Sequence, residues 1–183
     1  MKKIKLVVAV LFLVHYGFSQ TTFSPARVSF DDYLNLVNEV STHRKSRLIS
    51  LNEFLKQSKT TGVVILDTRS DSMYLSKHIK GAIHLNFSDF TQQNLAKLIP
   101  NTQTKILIYC NNNFGGDEIN FASKGFTPAK FDKVNKPITL ALNIPTYINL
   151  YGYGYKNVYE LSELVSVFDA RVVFEGTSVS KKK

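Results

Sequence analysis

The sequence predicts one α/β domain built on a five-stranded parallel β-sheet with helices on both faces. Short apolar segments, several of them rich in β-branched residues, are typical of strands buried on both sides. They recur at residues 47–49, 63–66, 82–85, 106–109 and 157–161. Segments with apolar residues at helical spacing separate them, and this alternation is typical of βαβ units. An additional helix is predicted ahead of the first strand.

The composition agrees with a globular chain of this size. Of the 183 residues, 44% are hydrophobic and 20% are charged, as in an ordinary single domain. The formal net charge is +9, but the lysines are scattered. Because no basic helix carries interleaved aromatic residues, the pattern argues against nucleic-acid binding. A basic surface favours small anionic substrates instead.

Residues 1–19 have the pattern of a secretory signal peptide. Lysines at positions 2, 3 and 5 precede an apolar run at 6–14 that is too short to span a bilayer. Gly17 and Ser19 are small residues suited to signal peptidase, which predicts cleavage near Ser19. We therefore expect the mature chain to be exported, periplasmic or secreted, with no membrane attachment after cleavage. An uncleaved N-terminal anchor is the alternative.

Residues 20–46 are predicted to form a leader and an N-terminal helix. Ser29 is a suitable N-cap, and Asp31 and Asp32 follow it in the first turn. The apolar residues at helical spacing are Phe30, Tyr33, Leu34, Val37 and Val40. The basic segment 42–47 is interpreted as a joint into the main domain, in which His43 is a solvated loop residue.

Residues 47–161 are predicted to form the main domain. After its first strand, Ser50 and Glu53 form a capping-box pattern that starts a short helix. The next elements are a strand at 63–66, a turn at 67–70, a helix at 71–77, a loop at 78–81 and a strand at 82–85. Ser88 is predicted to cap another helix, which runs to Leu98.

The chain after the 106–109 strand is predicted to carry an insertion at about 116–136. Its glycines, prolines and phenylalanines show no regular period, and a loop of this length usually has a function such as covering a site. A helix is expected from residue 137 to about 151, kinked or restarted at Pro145. After the last strand, residues 162–183 form a C-terminal extension with one apolar run and a basic end.

Cys110, the only cysteine, ends the 106–109 strand and is the strongest candidate for chemistry. The loop that follows it consists of Asn111, Asn112, Asn113, Phe114 and Gly115. Asn and Gly tolerate positive φ, so the backbone is predicted to curl and direct successive N–H groups inward. Such a curl binds anions and would hold Cys110 as the thiolate. The position at a strand end, where open α/β sheets bind ligands, favours a reactive thiol over a small buried hydrophobe.

Several motifs resemble the rhodanese-like sulfurtransferase family. Residues 67–69, DTR, followed by a short helix and by HIKGAIHL at 78–85, are similar to the family's D-x-R and H-I-x-G-A-I-x-L motifs at the same spacing. The strand ending at Cys110 is similar to the one that carries the family's active cysteine, and GYKNVYEL at 154–161 resembles its closing strand. The motifs cover roughly residues 48–161, and their number and order make the resemblance specific. It implies a five-stranded α/β domain whose cysteine carries sulfane sulfur as a persulfide.

Three features depart from the family pattern. The family loop usually has an arginine or lysine where this chain has Gly115, and that charge neutralises the anionic donor. An acidic residue often stands at the position of Met73, where it pairs with the motif arginine. The family loop also leads almost directly into a helix, whereas residues 116–136 intervene here. These departures bear on substrate and rate more than on fold.

Asp67, Arg69 and His78 are interpreted as supporting residues. A carboxylate and a guanidinium at a strand end commonly hold neighbouring loops, a role we favour over catalysis, although Arg69 would also contribute electrostatically. His78 precedes a glycine turn and is expected to satisfy backbone groups there rather than to act as a base. No metal-ligand spacing or nucleotide fingerprint is found, so no metal or cofactor is expected.

The leading functional hypothesis is an exported rhodanese-like sulfurtransferase or sulfur carrier. Cys110 would be its nucleophile, and the N–H groups of 111–115 would stabilise thiolate and persulfide. The expected partners are small anionic sulfur compounds or a persulfide-carrying protein. The alternative is a non-catalytic binding module whose loop and insertion recognise a protein or small anionic partner. A cysteine phosphatase would need an arginine at position 116, where the chain has Gly116.

Overall fold

The computed structural model describes residues 24–123 and 141–179. The predicted signal peptide, the predicted insertion from residue 124 onward, the first residues of the helix expected from 137 and the basic end lie outside the described residues. Within these two ranges, no helix has both the length and the apolar character needed to cross a membrane.

The described residues form α-helices and short β-strands that alternate over much of the chain. The helices are α1 Phe30–Lys45, α2 Leu51–Ser58, α3 Asp71–Ser76, α4 Gln92–Leu98 and α5 Asn143–Gly152. The strands are β1 Leu48–Ile49, β2 Val64–Asp67, β3 His78–Ile79, β4 Ile83–His84, β5 Ile106–Tyr109, β6 Phe114–Gly115, β7 Val158–Leu161, β8 Val165–Ser166 and β9 Phe174–Glu175.

Five strands form one parallel sheet in the order β1-β7-β5-β2-β4, which confirms the predicted fold class. β5 lies at the centre between β2 and β7, and all four of its residues are buried. The continuous apolar run that predicted a doubly buried strand is therefore explained by this position. Ile106 aligns with Val64 on one side and with Val158 on the other, so the three strands end at the same edge of the sheet.

The sheet separates two hydrophobic cores because alternate residues of a strand face opposite sides. Ile106 and Ile108 of β5 pack with residues of α1, α4 and α5. Leu107 and Tyr109 pack on the other side, with α2 and with apolar residues of the C-terminal segment. This arrangement confirms helices on both faces, and it makes the C-terminal extension part of one core.

Two predicted helix starts are confirmed. The Ser29 hydroxyl accepts a hydrogen bond from the Asp32 backbone N–H at 3.2 Å, and the Ser50 hydroxyl accepts one from Glu53 at 3.3 Å. The carboxylate of Glu53 accepts a hydrogen bond from Gln57, one turn further along α2.

The two later helices begin further along the chain than predicted. Asn86 accepts a hydrogen bond from the Ser88 backbone N–H and starts a 3₁₀ turn at Phe87–Asp89, so α4 begins later, with Thr91 as its N-cap. Of the two alternatives predicted for Pro145, a kink or a restart, the structure agrees with the restart, because residues 141 and 142 are not helical and α5 begins at Asn143. Pro145 lies in the first turn of α5, where its missing N–H removes no intrahelical hydrogen bond.

The N-terminal helix extends further than predicted at its C-terminal end. It extends through the basic segment to Lys45, and the positive side chains of its last turn complement the helix dipole. His43 is therefore not a loop residue; its Nδ1 lies 2.9 Å from the hydroxyl of Tyr147 in α5. Of the apolar residues at helical spacing only Val40 is buried, and Phe30 remains largely exposed.

Two segments interpreted as irregular contain short strands. His78–Ile79, predicted as part of a loop, pairs antiparallel with Phe174–Glu175 of the C-terminal extension. Phe114–Gly115, in the loop after Cys110, pairs parallel with Val165–Ser166. Strands of two residues have no measurable periodicity, so the sequence pattern could not predict them.

Candidate functional site

Cys110 follows the last residue of the central strand and is 1% exposed. It lies two residues after Ile108 and therefore faces the same side of the sheet, toward α1 and α5. Its Sγ accepts a hydrogen bond from the backbone N–H of Leu142 at 3.2 Å. Leu142 immediately precedes α5, so the sulfur lies at the positive end of that helix dipole. α5 lies in the segment where the sequence predicted a helix after the insertion. Cys110 and Leu142 are therefore in contact although 32 residues separate them.

The loop after Cys110 has a different backbone from the predicted curl. Asn111–Asn113 form a 3₁₀ turn, and among the described residues no residue other than glycine has a positive φ. The cause is the buried side chain of Asn113, which accepts a hydrogen bond from the Cys110 backbone N–H at 2.8 Å. It also donates to the carbonyl groups of Leu161 and Glu163. Asn113 thus fastens the loop to the end of β7 instead of letting it wrap around the sulfur.

Phe114 and Gly115 form strand β6 instead of part of a curl around the sulfur. The ring of Phe114 is buried and packs against those of Phe121 and Phe174, with ring centroids 4.7 and 5.2 Å apart. The carbonyl of Gly115 accepts a hydrogen bond from the Val167 backbone N–H. Gly115 does not have a positive φ, so nothing in its backbone requires glycine.

Asp67 and Arg69 form a buried ion pair at the end of β2. Their side chains are 0% and 1% exposed, and Arg69 Nη2 lies 2.7 Å from Asp67 Oδ2. The other Arg69 donors contact the Asn111 side chain and the carbonyl groups of Lys77 and Asn120. Burial acts to lower the pKa of Arg69, but the hydrogen bonds and charge of Asp67 outweigh it and raise that pKa. Arg69 therefore connects β2, the Cys110 loop and the segment that follows β6.

Tyr109 connects the same ion pair to the start of β3. Its hydroxyl donates to Asp67 Oδ2 and accepts a hydrogen bond from the Ile79 backbone N–H at 3.1 Å. Burial, followed by the nearby charge of Asp67, raises the pKa of Tyr109 well above its ordinary value, so the hydroxyl remains a donor. Because its one oxygen both donates and accepts a hydrogen bond, Tyr109 belongs to the supporting structure of the site.

His78 lies in β3 and holds the C-terminal extension. Its Nδ1 is 2.6 Å from the carbonyl of Tyr74, and its Nε2 is 3.2 Å from a carboxylate oxygen of Glu175 in β9. The ring also stacks on Tyr74 at a centroid distance of 3.9 Å. The expectation that His78 satisfies a backbone group agrees with these contacts, and the pairing with Glu175 was not predicted.

A cavity of about 300 Å³ lies between the Cys110 loop and the end of α1. Asn112 and Asn113 contribute one wall, and Asn143 contributes another from the first turn of α5. The remaining lining residues are Arg44, Leu48, Glu160, Leu161, Ser162, Glu163 and Leu164. The cavity thus adjoins the loop after Cys110 and the first turn of α5, whereas Cys110 itself is buried behind these segments and does not line it.

Sequence reasoning missed Arg44, Glu160 and Asn143 as neighbours of the loop. The Glu160 carboxylate is buried in β7 and accepts hydrogen bonds from Arg44 Nη2 at 2.6 Å and from Asn143 Nδ2 at 2.8 Å. A charged residue inside an otherwise apolar strand is the one signal that could have indicated a buried partner. Nothing in the local sequence identifies Arg44 as that partner, because 116 positions separate the two residues.

A larger groove of about 790 Å³ lies elsewhere, along Lys77 and the C-terminal segment 167–179. Its lining includes no residue of the Cys110 loop, so we place the candidate site at the smaller cavity. Within the two described ranges, no group of three or more His, Cys, Asp or Glu side chains is arranged to hold a metal ion.

The fold and the strand-end cysteine define a single-cysteine α/β domain of the rhodanese type. The sequence model of the rhodanese-like domain family matches residues 50–163, and the chain belongs to this family. The predicted family resemblance is therefore confirmed. No curated protein matches the chain.

Solved structures to which the chain is similar include proteins from Anabaena sp. and Bacillus halodurans. A crystal structure of the Alr3790 protein from Anabaena sp. is 19% identical, covers 70% of this chain and 82% of its own, and has a TM-score of 0.42. The Rhodanese_3 like domain of the same Anabaena protein is 19% identical over 66% of this chain and 99% of its own, with a TM-score of 0.36. The BH2092 protein from Bacillus halodurans is 17% identical over 68% and 74%, with a TM-score of 0.37.

Proposed function

We propose that this protein transfers or carries sulfane sulfur as a persulfide on Cys110. The Cys110 thiolate attacks the outer sulfur of a donor; a bond forms between the two sulfur atoms and the donor's own bond to that sulfur breaks. With a thiosulfonate donor, the leaving group is a sulfinate, which departs with the electron pair of the broken bond. An acceptor thiolate then attacks the outer sulfur of the persulfide, takes it, and regenerates the Cys110 thiolate.

The observation that carries this proposal is the environment of the sulfur. Cys110 ends the central strand of a rhodanese-like domain, and its Sγ accepts the Leu142 N–H at the start of α5. A backbone donor and a helix N-terminus favour an anionic sulfur, in the thiolate and in the persulfide alike. The sequence predicted such support from the N–H groups of the loop, and the contact with the start of α5 was not predicted.

Intact mass measurement after incubation with a sulfane donor tests the proposal. We expect the protein to gain one sulfur atom, and a subsequent thiol acceptor should remove it. Because Cys110 is the only cysteine, Cys110→Ser is a complete control for sulfur bound to thiol. A parent protein that gains no sulfur from any donor class, or a Cys110→Ser protein that gains as much, would contradict the proposal.

The burial of Cys110 favours one other candidate, a non-catalytic binding module. A sulfur that is 1% exposed reaches a donor only if the covering segments move, and Gly115 leaves the loop without its usual cation. A module of this kind would bind its partner through the cavity beside the loop and would gain no mass with any donor. The same mass experiment therefore separates the two candidates.

We further propose that the protein acts after export, on the strength of the signal-peptide pattern at residues 1–19. N-terminal sequencing of protein recovered from outside the cytoplasm should find a chain that begins at or near Gln20. Recovery of chains that retain Met1 in the membrane fraction would contradict cleavage.

A further inference from the structure

Arg44, at the end of the N-terminal helix, forms an ion pair with Glu160, and both residues line the cavity beside the Cys110 loop. Arg44 lies near the end of α1 and binds the Glu160 carboxylate through Nε and Nη2. Glu160 is 2% exposed, whereas 27% of the Arg44 side chain remains exposed. Arg44 precedes the residues matched by the family model, which begin at 50.

The sheet register places this pair close to Cys110. Glu160 aligns with Ile108 on the neighbouring strand, and Cys110 lies two residues further, about 7 Å along the strand direction. Glu160 faces the same side of the sheet as Val158, which packs in the core shared with Ile108. Glu160, and the Arg44 that it holds, therefore lie on the same face as the sulfur and one pleat away from it.

Arg44 retains donors after it has bound Glu160. A guanidinium has five N–H groups, and Nη1 of Arg44 has no hydrogen-bond acceptor among the described residues. Arg44 lines the cavity beside the loop and is the one cationic residue in the lining as described. The Glu160 carboxylate, which also accepts a hydrogen bond from Asn143, holds Arg44 in a fixed position, so Nη1 is preorganised.

The other described arginine near Cys110 cannot take this role. All five N–H groups of Arg69 are directed to Asp67, Asn111, Asn120 and Lys77. Position 115, which carries the cation in the family pattern, is glycine here. An added Cβ at Gly115 would lie 3.7 Å from Leu164, which lines the same cavity as Arg44, so a side chain at 115 would begin beside one wall of that cavity.

We propose that Arg44 is the substrate-recognition residue of this site and that it selects a singly charged sulfane-sulfur donor. Its Nη1 would donate to an oxygen of the donor, such as a sulfonyl or carboxylate oxygen. Glu160 and Glu163 line the same cavity, so the lining has a net negative formal charge that disfavours a dianion. This inference rests on the proposed sulfur transfer and names the chemical class of its donor.

Two donors that differ by one charge provide the test. Thiosulfate is a dianion, and methanethiosulfonate replaces one of its oxygens by a methyl group and is a monoanion. We expect the parent protein to have a higher kcat/KM with methanethiosulfonate. Arg44→Gln should raise the KM for methanethiosulfonate about 10- to 100-fold, since it removes a charged hydrogen bond to the donor.

Arg44→Gln leaves Glu160 buried without its cation, so a second variant separates recognition from stability. Arg44→Gln/Glu160→Gln removes both charges, keeps the net formal charge of the lining unchanged and leaves two amides that can bind each other. It should show the same rise in KM with a restored melting temperature. Arg47→Gln is the matched control, because it removes the same charge three residues away from a side chain that does not line the cavity.

Adding Gly115→Arg to the Arg44→Gln/Glu160→Gln protein should lower the KM again, because it returns a guanidinium to the side of the cavity that Leu164 lines. A KM in the double variant equal to that of the parent would overturn the inference. So would an equal rise in Arg47→Gln, or a parent that prefers the dianion.

A binding measurement distinguishes failure of this inference from failure of the proposed function. In Cys110→Ser protein no sulfur transfer is possible, and methanethiosulfonate should still raise the melting temperature through Arg44. Arg44→Gln/Glu160→Gln in that background should abolish the rise. Binding that depends on Arg44 without persulfide in the parent would refute sulfur transfer alone, whereas binding unaffected by the loss of Arg44 would refute the role of Arg44.

Discussion

Two arginine–carboxylate pairs lie on the sheet near its C-terminal edge and differ in what they leave available. Arg69 is enclosed by its partners, and the guanidinium also lies 4.6 Å from the ring centroid of Phe121. Arg44 binds an equally buried carboxylate but keeps Nη1 free of described acceptors beside the Cys110 loop. The guanidinium of Arg69 can bind a ligand only by breaking hydrogen bonds within the protein, whereas Nη1 of Arg44 has none to break in the part of the chain that the structure describes.

The comparison shows that the identity of an ion pair does not determine its role. Both pairs combine a guanidinium with a carboxylate on a strand, and both are connected to the loop or helix that contacts Cys110. The two pairs differ in how many N–H groups of the arginine are hydrogen-bonded to other described residues of the protein. The Asp67–Arg69 pair is thus a structural joint, and the Arg44–Glu160 pair is a candidate for binding.

The largest effect is expected from Asp67→Ala, which leaves Arg69 buried without its counter-ion. We expect a loss of about 3–5 kcal/mol in the free energy of unfolding, since breaking a buried pair isolates a charge. Denaturant titration measures it, with Asp169→Ala as the control, because Asp169 pairs with a half-exposed Arg171. A stable Asp67→Ala protein that has lost sulfur transfer would instead place Asp67 in the chemistry.

Asn113→Ala should have the next largest effect, because this side chain fastens the Cys110 loop to β7. It removes one accepted and two donated hydrogen bonds from a buried position, and we expect a loss of about 1–3 kcal/mol in unfolding free energy. The freed loop should also let alkylating reagents reach Cys110 faster. Asn101→Ala, which removes an exposed turn contact, is the control. An unchanged alkylation rate would show that other segments cover the sulfur.

These two predictions concern features that the sequence indicated to different degrees. Asp67 and Arg69 are two positions apart at a strand end, so their proximity and holding role could be predicted locally. The brace made by Asn113 depends on carbonyl groups 48 and 50 residues away, and the sequence suggested a left-handed curl instead. Intrinsic tolerance of positive φ by Asn was outweighed here by side-chain hydrogen bonds to the end of β7.

The other contacts that the sequence did not predict also join residues far apart in the chain. The central strands and the first two helix caps follow from local patterns, and the structure confirms them. The contact between Leu142 and Cys110, the pairing of Arg44 with Glu160 and the strand pairs β3–β9 and β6–β8 join distant segments. No period or motif in one segment encodes the identity of its distant partner.

The coupling between Arg44 and Glu160 should be smaller than the effect of losing Asp67. Because Arg44 is partly exposed to solvent, a double-mutant cycle with Arg44→Gln and Glu160→Gln should give about 1–2 kcal/mol. Unfolding of the four proteins in denaturant provides the cycle. A coupling as large as the loss in Asp67→Ala would mean that this pair, too, is mainly a structural joint.

The smallest effect is expected at Glu175, a carboxylate outside both pairs that holds the C-terminal extension. A hydrogen bond from the Gly81 backbone N–H, and then the contact with His78, lower the pKa of Glu175 from its ordinary 4.5. The carboxylate is therefore more stable in the folded than in the unfolded chain. Its contribution is present above pH 4.5 and is lost as the pH falls through the lower folded pKa.

Because the side chain of Glu175 is 43% exposed, solvent screening keeps this contribution below about 1 kcal/mol. Melting temperatures between about pH 6 and pH 3 should fall less steeply in Glu175→Gln than in the parent. Glu53→Gln is the matched control, since Glu53 is also a surface carboxylate with a lowered pKa but lies on α2, away from β9. If the parent and Glu175→Gln lose stability equally over this range, the ionised carboxylate does not hold β9 against β3, and the stacking of His78 on Tyr74 is the stronger contact there.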